Sequence, residues 1–563
     1  MMEDNNRKNS RSVAVQNTLL KSPVKCENQD IELFDKERRN DEKIQSKKTE
    51  LEPNLVGNKL NVALLVLLYS LQGIPVGISI AIGTYIQNSK ISYVQQAKYS
   101  TVDLPFTLKL LWAPLVDAIY SKRIGKRKSW LIPVQILIGL SFLYVGTNIN
   151  VWLAKDHPNI TILTIVLFGV NLLSATQDII IDGWALTLLR RENVGYASVC
   201  NTSGQALGIA LGYVFFILLE SEEFCNKWLR YTDKRGGVVT MEGYLCFWGI
   251  LYIVASTCIA IFKKEKCDQS NTNNQTNVMQ TYKLLWKIIN LQTIKDFAVV
   301  MLAYEVAFTS IGSSLTNPKF MEYGVAKEYL ALVDMSLIPV KIFIPIFISK
   351  YTIGPRPLRI IYRTVPYRLL LGVASAGLVY YTPYFTNDNS NSKSIYFFVI
   401  FEFYRVSRLM MSVIVFLGVQ SFFSRISDPH IGGTYMSLLN TVWHLGMAIA
   451  RIAALGMLNS LTFKRCSEDG TNTCRSKTEI MQCRKYDSGE CITIVDGYFI
   501  EVSICTVCGI VWYLLQRKSL KRLQSRPIEE WQVDHNIRDE TKICNLPDLV
   551  GPRLQVGSSD EPN

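Results

Sequence analysis

Nowhere in its 563 residues does this chain carry a Walker loop or a GxGxxG turn, so nothing in it is shaped for the nucleotide of a driven pump. Residues 1–59 lack any apolar core, which excludes a secretory signal peptide; they read as a disordered tail on the cytosolic side. Histidine is scarce, with 4 in the chain, and none lies in residues 460–496. There Cys466, Cys474, Cys483 and Cys491 gather without a CxxC pair, which argues against zinc and for two disulfides in an oxidising compartment, every pairing being open. The single CxxC, Cys505 to Cys508, falls inside the last apolar run and reads as packing. Neither a metal nor a cofactor is expected.

Charge is sparse, at 19% against 48% hydrophobic residues. The apolar residues are gathered into runs long enough to cross a bilayer as helix. Twelve such runs centre near Leu68, Leu111, Leu140, Leu167, Ala210, Val254, Ala303, Pro339, Gly372, Ile414, Ala448 and Val507. The expectation is an all-α, multi-pass membrane protein. A net charge of +13 would suit nucleic acid, but the cations sit in loops beside the apolar runs. Residues 121–128 and 350–368 each carry five Lys/Arg and no acid, whereas 387–394 carry few. Both basic segments join an even span to an odd one, which places them and both termini in the cytosol. The cysteine loop and Asn159, of the sequon Asn159-Ile160-Thr161, then fall on the other side, where Asn159 is a candidate for glycosylation.

The chain repeats itself. Tyr196-Ala-Ser-Val-Cys-Asn201-Thr202 returns as Tyr435-Met-Ser-Leu-Leu-Asn440-Thr441, offset by 239 residues with four of seven positions identical. Val102-Asp103, Lys109 and Pro114 are echoed by Val333-Asp334, Lys341 and Pro345. Two equivalent halves follow: six spans over 60–262, a polar cytosolic linker over 263–290, and six spans over 291–516, which include the loop 460–496. Residues 517–563 form a polar cytosolic tail. A central cavity is expected between spans 1, 4, 5, 7, 10 and 11.

Charges inside spans are costly and face a cavity or one another. Here they are Lys109, Asp178, Asp182, Glu305, Asp334, Lys341, Glu402, Arg405, Arg408, Arg451 and Glu501. Glu402 and Arg405 are spaced to pair with each other. Asn440, His444, Met447 and Arg451 share one helical face, and the repeat aligns them with Asn201, Gln205, Gly208 and Gly212. A cavity lined by cations and small residues suits a large anion. Lys109, Lys341, Arg405, Arg408 and Arg451 are the candidate phosphate ligands, with Asn201, Gln205, Asn440 and His444 beside them. Trp112, Trp184 and Trp443 are candidate platforms for a base. His444 with Asn440 one turn away also fits a membrane acyltransferase, but no second acyl-acceptor motif accompanies them. Asp117 followed by Arg123, Gly125, Lys126 and Arg127 is similar to the gating signature after span 2 of the major facilitator superfamily. Gln72, Gly73, Pro75 and Gly77 loosen span 1 or let it pack closely.

The blocks LQGIP at Leu71–Pro75, LKLLWAPLVDA at Leu108–Ala118, KRKSWL at Lys126–Leu131, ATQDI at Ala175–Ile179, DGWALT at Asp182–Thr187, RENVGYAS at Arg191–Ser198, VPYRLLLG at Val365–Gly372 and IGGTYM at Ile431–Met436 occur in this order. Together with FCNKWLR at Phe224–Arg230 and DGYF at Asp496–Phe499, they resemble the endoplasmic reticulum acetyl-coenzyme A transporter family. The resemblance runs from about Leu60 to Leu515. It implies a twelve-span, major facilitator-type protein of the reticulum membrane that carries acetyl-CoA into the lumen for acetylation there. Coenzyme A or oxidised glutathione are the alternative anionic thiol metabolites.

Overall fold

The computed structural model describes residues 55, 57–88, 93–154, 159–265, 277–308, 313–325, 327–354, 356–386, 391–466, 474, 479–481, 483 and 491–533. Most of both tails, residues 266–276 of the linker, residues 387–390 and much of the cysteine loop lie outside the described residues.

Among the described residues, eight helices are long and apolar enough to cross a membrane. They are spans 1 (Lys59–Asn88), 3 (Lys128–Trp152), 4 (Ile160–Leu188), 5 (Tyr196–Glu220), 6 (Met241–Phe262), 10 (Asn391–Ile426), 11 (Gly432–Leu461) and 12 (Gly497–Ser525). The other four are interrupted or charged. Span 2 is a chain of short pieces, with Pro105 and Pro114 each near the start of a new piece. Proline has no N–H to continue the previous turn but fits the first turn of the next helix. Span 8 breaks in the same way, into Lys327–Ser336 and Ile338–Thr352 with Pro339 opening the second piece. Span 7 is described over Gln292–Phe308 and Ser313–Glu322, with 309–312 outside the described residues, and span 9 (Leu358–Thr386) holds Pro366 and Pro383.

Two sequence expectations change here. Residues 350–368 are not all loop, because Arg359, Arg363 and Arg368 lie within span 9. The linker is not simply a polar tether: Asn277 and Gln280 form a reciprocal cap that starts a helix, Val278–Ile289. That helix lies against the end of span 2, where the Tyr282 hydroxyl donates to the Leu111 carbonyl at 2.5 Å.

Spans 1 and 5 approach at backbone distance. A Cβ on Gly208 would lie 2.0 Å from the Ser70 carbonyl oxygen, and one on Gly77 would lie 2.6 Å from that of Ile209. With little hydrophobic drive between helices in lipid, such close packing supplies the association. Span 5 carries a π turn, Ala210–Val214, in this region. Outward faces stay apolar, as on span 3, where Leu137, Leu140, Tyr144 and Val151 are exposed. After span 11, strands Phe463–Cys466 and Cys491–Val495 pair antiparallel. The loop is stapled by Cys466–Cys483 and Cys474–Cys491.

Candidate functional site

The halves meet at the ends that carry the basic loops. There the Asp117 carboxylate accepts from Arg127 Nη1 at 2.6 Å and, from the other half, from the Thr434 amide at 2.6 Å and hydroxyl at 2.8 Å. Lys126 Nζ donates to the His430 carbonyl at 2.6 Å, also across the halves. Burial and the neighbouring Arg127 push the Lys126 ammonium down to about 8. Gly195, beginning span 5, sits against Ile353 and Ser421 of the second half. Gly125 has φ +109°, and a Cβ there would strike the Glu265 carboxylate at 2.3 Å. That carboxylate accepts from the Arg127 and Lys128 amides, so the end of span 6 caps the start of span 3. Asp117, Lys126 and Arg127 therefore build a seal, whereas Arg123 is exposed on its turn.

Deeper in the first half, Lys109 pairs with Asp178, whose other oxygen accepts from Gln205 at 3.3 Å. Asp182 accepts from the Tyr69 hydroxyl at 2.7 Å and from Asn201 at 3.3 Å. Trp112 is half-buried beside this cluster and donates its indole N–H to Thr176. His444 of span 11 lies within electrostatic reach of Lys109 and Asp178. It is solvent-accessible.

The second half is cationic. Lys341 of span 8 is accessible and within electrostatic reach of Arg405, Arg408 and Asp334. Arg408 in turn feels Arg405 and Arg368. Arg368 of span 9 donates to the Tyr304 hydroxyl, with its guanidinium 5.1 Å from the centre of that ring and 4.7 Å from the centre of Phe308. Four cations are thus gathered with Asp334, Glu305 and Glu402 as the acids nearest them, while the cluster in the first half has one lysine for two aspartates.

Several sequence candidates sit elsewhere than expected. Arg405 is buried and bonded to Asp334 and Asn317, so it is held inside its own half; it does not pair with Glu402, which accepts from Ser336. Lys109 is likewise held, by Asp178. Trp184 and Trp443 are buried at 2% and 5% exposure, Trp443 near Tyr304, which leaves neither face open to a ligand. Asn440 accepts from Gln420 at 2.5 Å. Gly208 and Gly212 face span 1 rather than a cavity. Arg451 is exposed two turns beyond His444. Asn159 is exposed, and its side-chain oxygen caps span 4. Spans 2, 8 and 9, outside the six expected, carry Lys109, Lys341 and Arg368. Arg368, Tyr69 and Thr434 were missed; Arg368 was assigned to a basic loop, although the apolar residues of VPYRLLLG around it mark a cation within a span.

A sequence model of the family described as Acetyl-coenzyme A transporter 1 matches residues 61–270, 265–368 and 367–533. The chain belongs to that family. As a member of the acetyl-coenzyme A transporter family, it is a membrane transporter and not an enzyme, so the acyltransferase reading of His444 falls away. It is 30% identical to an uncharacterized protein of Schizosaccharomyces pombe, over 91% of this chain and 97% of the relative. It is also 30% identical to an uncharacterized membrane protein of Saccharomyces cerevisiae, over 83% of this chain and 96% of that one. Among solved structures it is similar to the major facilitator superfamily transporter FucP in the outward conformation, at 12% identity and a TM-score of 0.49, over 83% of this chain and 99% of that one.

Proposed function

We propose that this transporter carries acetyl-CoA from the cytosol into the endoplasmic reticulum lumen by alternating access, supplying acetylation there. The observation that carries the reading is the gathering of Lys341, Arg368 and Arg408 in the second half. Acetyl-CoA has several phosphate charges, an adenine and a thioester arm. Arginine forks match phosphate oxygens bidentately and lysine adds a point charge. Trp112 offers a partly open ring in the first half for the adenine. The basic loops favour the cytosol for the sealed end. The two disulfides suit an oxidising lumen for the other end. The arrangement is then lumen-facing.

The test is uptake by purified protein in liposomes, comparing acetyl-CoA, coenzyme A and oxidised glutathione, each with and without counter-substrate inside. Saturable acetyl-CoA uptake, competed by coenzyme A and indifferent to glutathione, supports the proposal. Uptake of oxidised glutathione without acetyl-CoA uptake overturns it.

A further inference from the structure

Lys109, Asp178 and Asp182 are 6%, 4% and 1% exposed, in the interior of the first half. Lys109 is committed to Asp178. One oxygen of Asp182 accepts from Tyr69 and Asn201, both uncharged donors, and the other is buried without a hydrogen-bond partner. The groups facing this carboxyl are Tyr69 from span 1, Lys109 from span 2, Asp178 of its own span and Asn201 from span 5, while His444 of span 11 faces the Lys109–Asp178 pair. The Asp117–Arg127 pair packs on the next residue, Gly183, whose Cβ position lies 2.5 Å from the guanidinium, and that pair is already neutral. One cation therefore serves two buried carboxylates. With both ionised, the cluster would hold a net negative charge out of water, a cost that buried groups escape by binding a proton.

We propose that the unpartnered oxygen of Asp182 is a proton-binding site, and that this proton crosses the membrane together with the anionic substrate. The inference rests on the transport reading above. The proton adds to a carboxylate lone pair and no other bond changes. It removes one negative charge from the first-half cluster, so proton and anion each raise the affinity for the other. Asp182 is next to Gly183, against which Gly432 of span 11 closes; a Cβ on Gly432 would lie 3.3 Å from the Gly183 Cα. Parting the halves at the seal admits water to Asp182 on the basic side, which completes the proton's path.

The experiment uses the full chain in liposomes with a pH-sensitive dye inside and the membrane potential clamped. Acetyl-CoA entry through the wild type should acidify the interior, and an acid exterior should speed net uptake. Asp182→Asn should lower net uptake at least about tenfold more than it lowers acetyl-CoA exchange, because exchange needs no proton release. Asp182→Glu keeps a titratable group and should keep the acidification. Wild-type uptake without acidification overturns the proposal with no variant needed. Acidification that survives in Asp182→Asn also overturns it, and points instead to Glu501, whose two carboxylate oxygens are buried without partners. Failure of acetyl-CoA to exchange through the wild type counts against the transport reading, and the dye signal with coenzyme A then decides the proton question separately.

Discussion

Individual cations in this protein do different work, and their surroundings separate them. Arg405 is fully enclosed and bound to Asp334 and Asn317, whereas Arg368 has aromatic neighbours and a single hydroxyl partner. Arg368→Ala should therefore weaken the apparent affinity for acetyl-CoA roughly ten- to hundredfold, the loss of one charged hydrogen bond to phosphate, with little change in melting temperature. Arg405→Ala should instead lower the melting temperature, and adding Asp334→Ala should recover part of it; both follow from thermal unfolding in detergent. Lys126 gives a pH test. Its value of about 8 is below the ordinary 10.5, so charging it opposes the sealed form. The seal should tighten as pH rises from about 8 toward 10.5 and be at its weakest below that window. A spin-label distance between the loops at Lys122 and Arg356 reads this, and Lys126→Gln should flatten the response. Sequence could show that these residues are cations inside apolar runs. It could not show which had partners, because Asp334 and Arg405 are 71 residues apart and meet only by tertiary packing.

At the scale of elements, the proline breaks were written in the sequence and the glycine contacts were half-written. Pro105, Pro114 and Pro339 account for where spans 2 and 8 divide, by lost N–H groups alone. Gly73 and Gly77 announced close packing, but their partners Gly208 and Gly212 were read as cavity residues, since helical spacing fixes a shared face and not what the face touches. Gly208→Val should push spans 1 and 5 apart and cost about 1–3 kcal/mol or more, seen as a lower melting temperature and loss of transport together. The stapled loop behaves independently. Each of its bridges spans 17 residues, so Cys466→Ser with Cys483→Ser should cost about 2–4 kcal/mol while leaving the interior charges in place. Limited proteolysis of that loop would show the change before transport does.

The whole molecule is two bundles closed on one another at one end. If that closure is one state of a cycle, holding it should stop transport. Lys126→Cys combined with His430→Cys, bridged by a reducible bifunctional thiol reagent of about the lysine's reach, should lock the halves together, abolish uptake, and release it on reduction. The two-fold plan was legible because the repeat includes polar residues that sheer hydrophobicity would not impose, Asp103 and Lys109 against Asp334 and Lys341. The unequal interior was less legible, since it depends on where the second half departs from the first. The breaks near Pro105 in span 2 and near Pro339 in span 8 bear on ancestry, although Pro114 opens a further piece where its counterpart Pro345 lies inside a helix. If the halves descend from one six-span unit, a joint present in both copies was already there before the copying, and the single unit could bend before it had a partner. The charges tell a later story: at the same 239-residue offset, Asp178 and Asp182 correspond to Leu417 and Ser421, and Arg451 to Gly212. Motion would then be the inherited property of this fold, and the preference for an anion the acquired one.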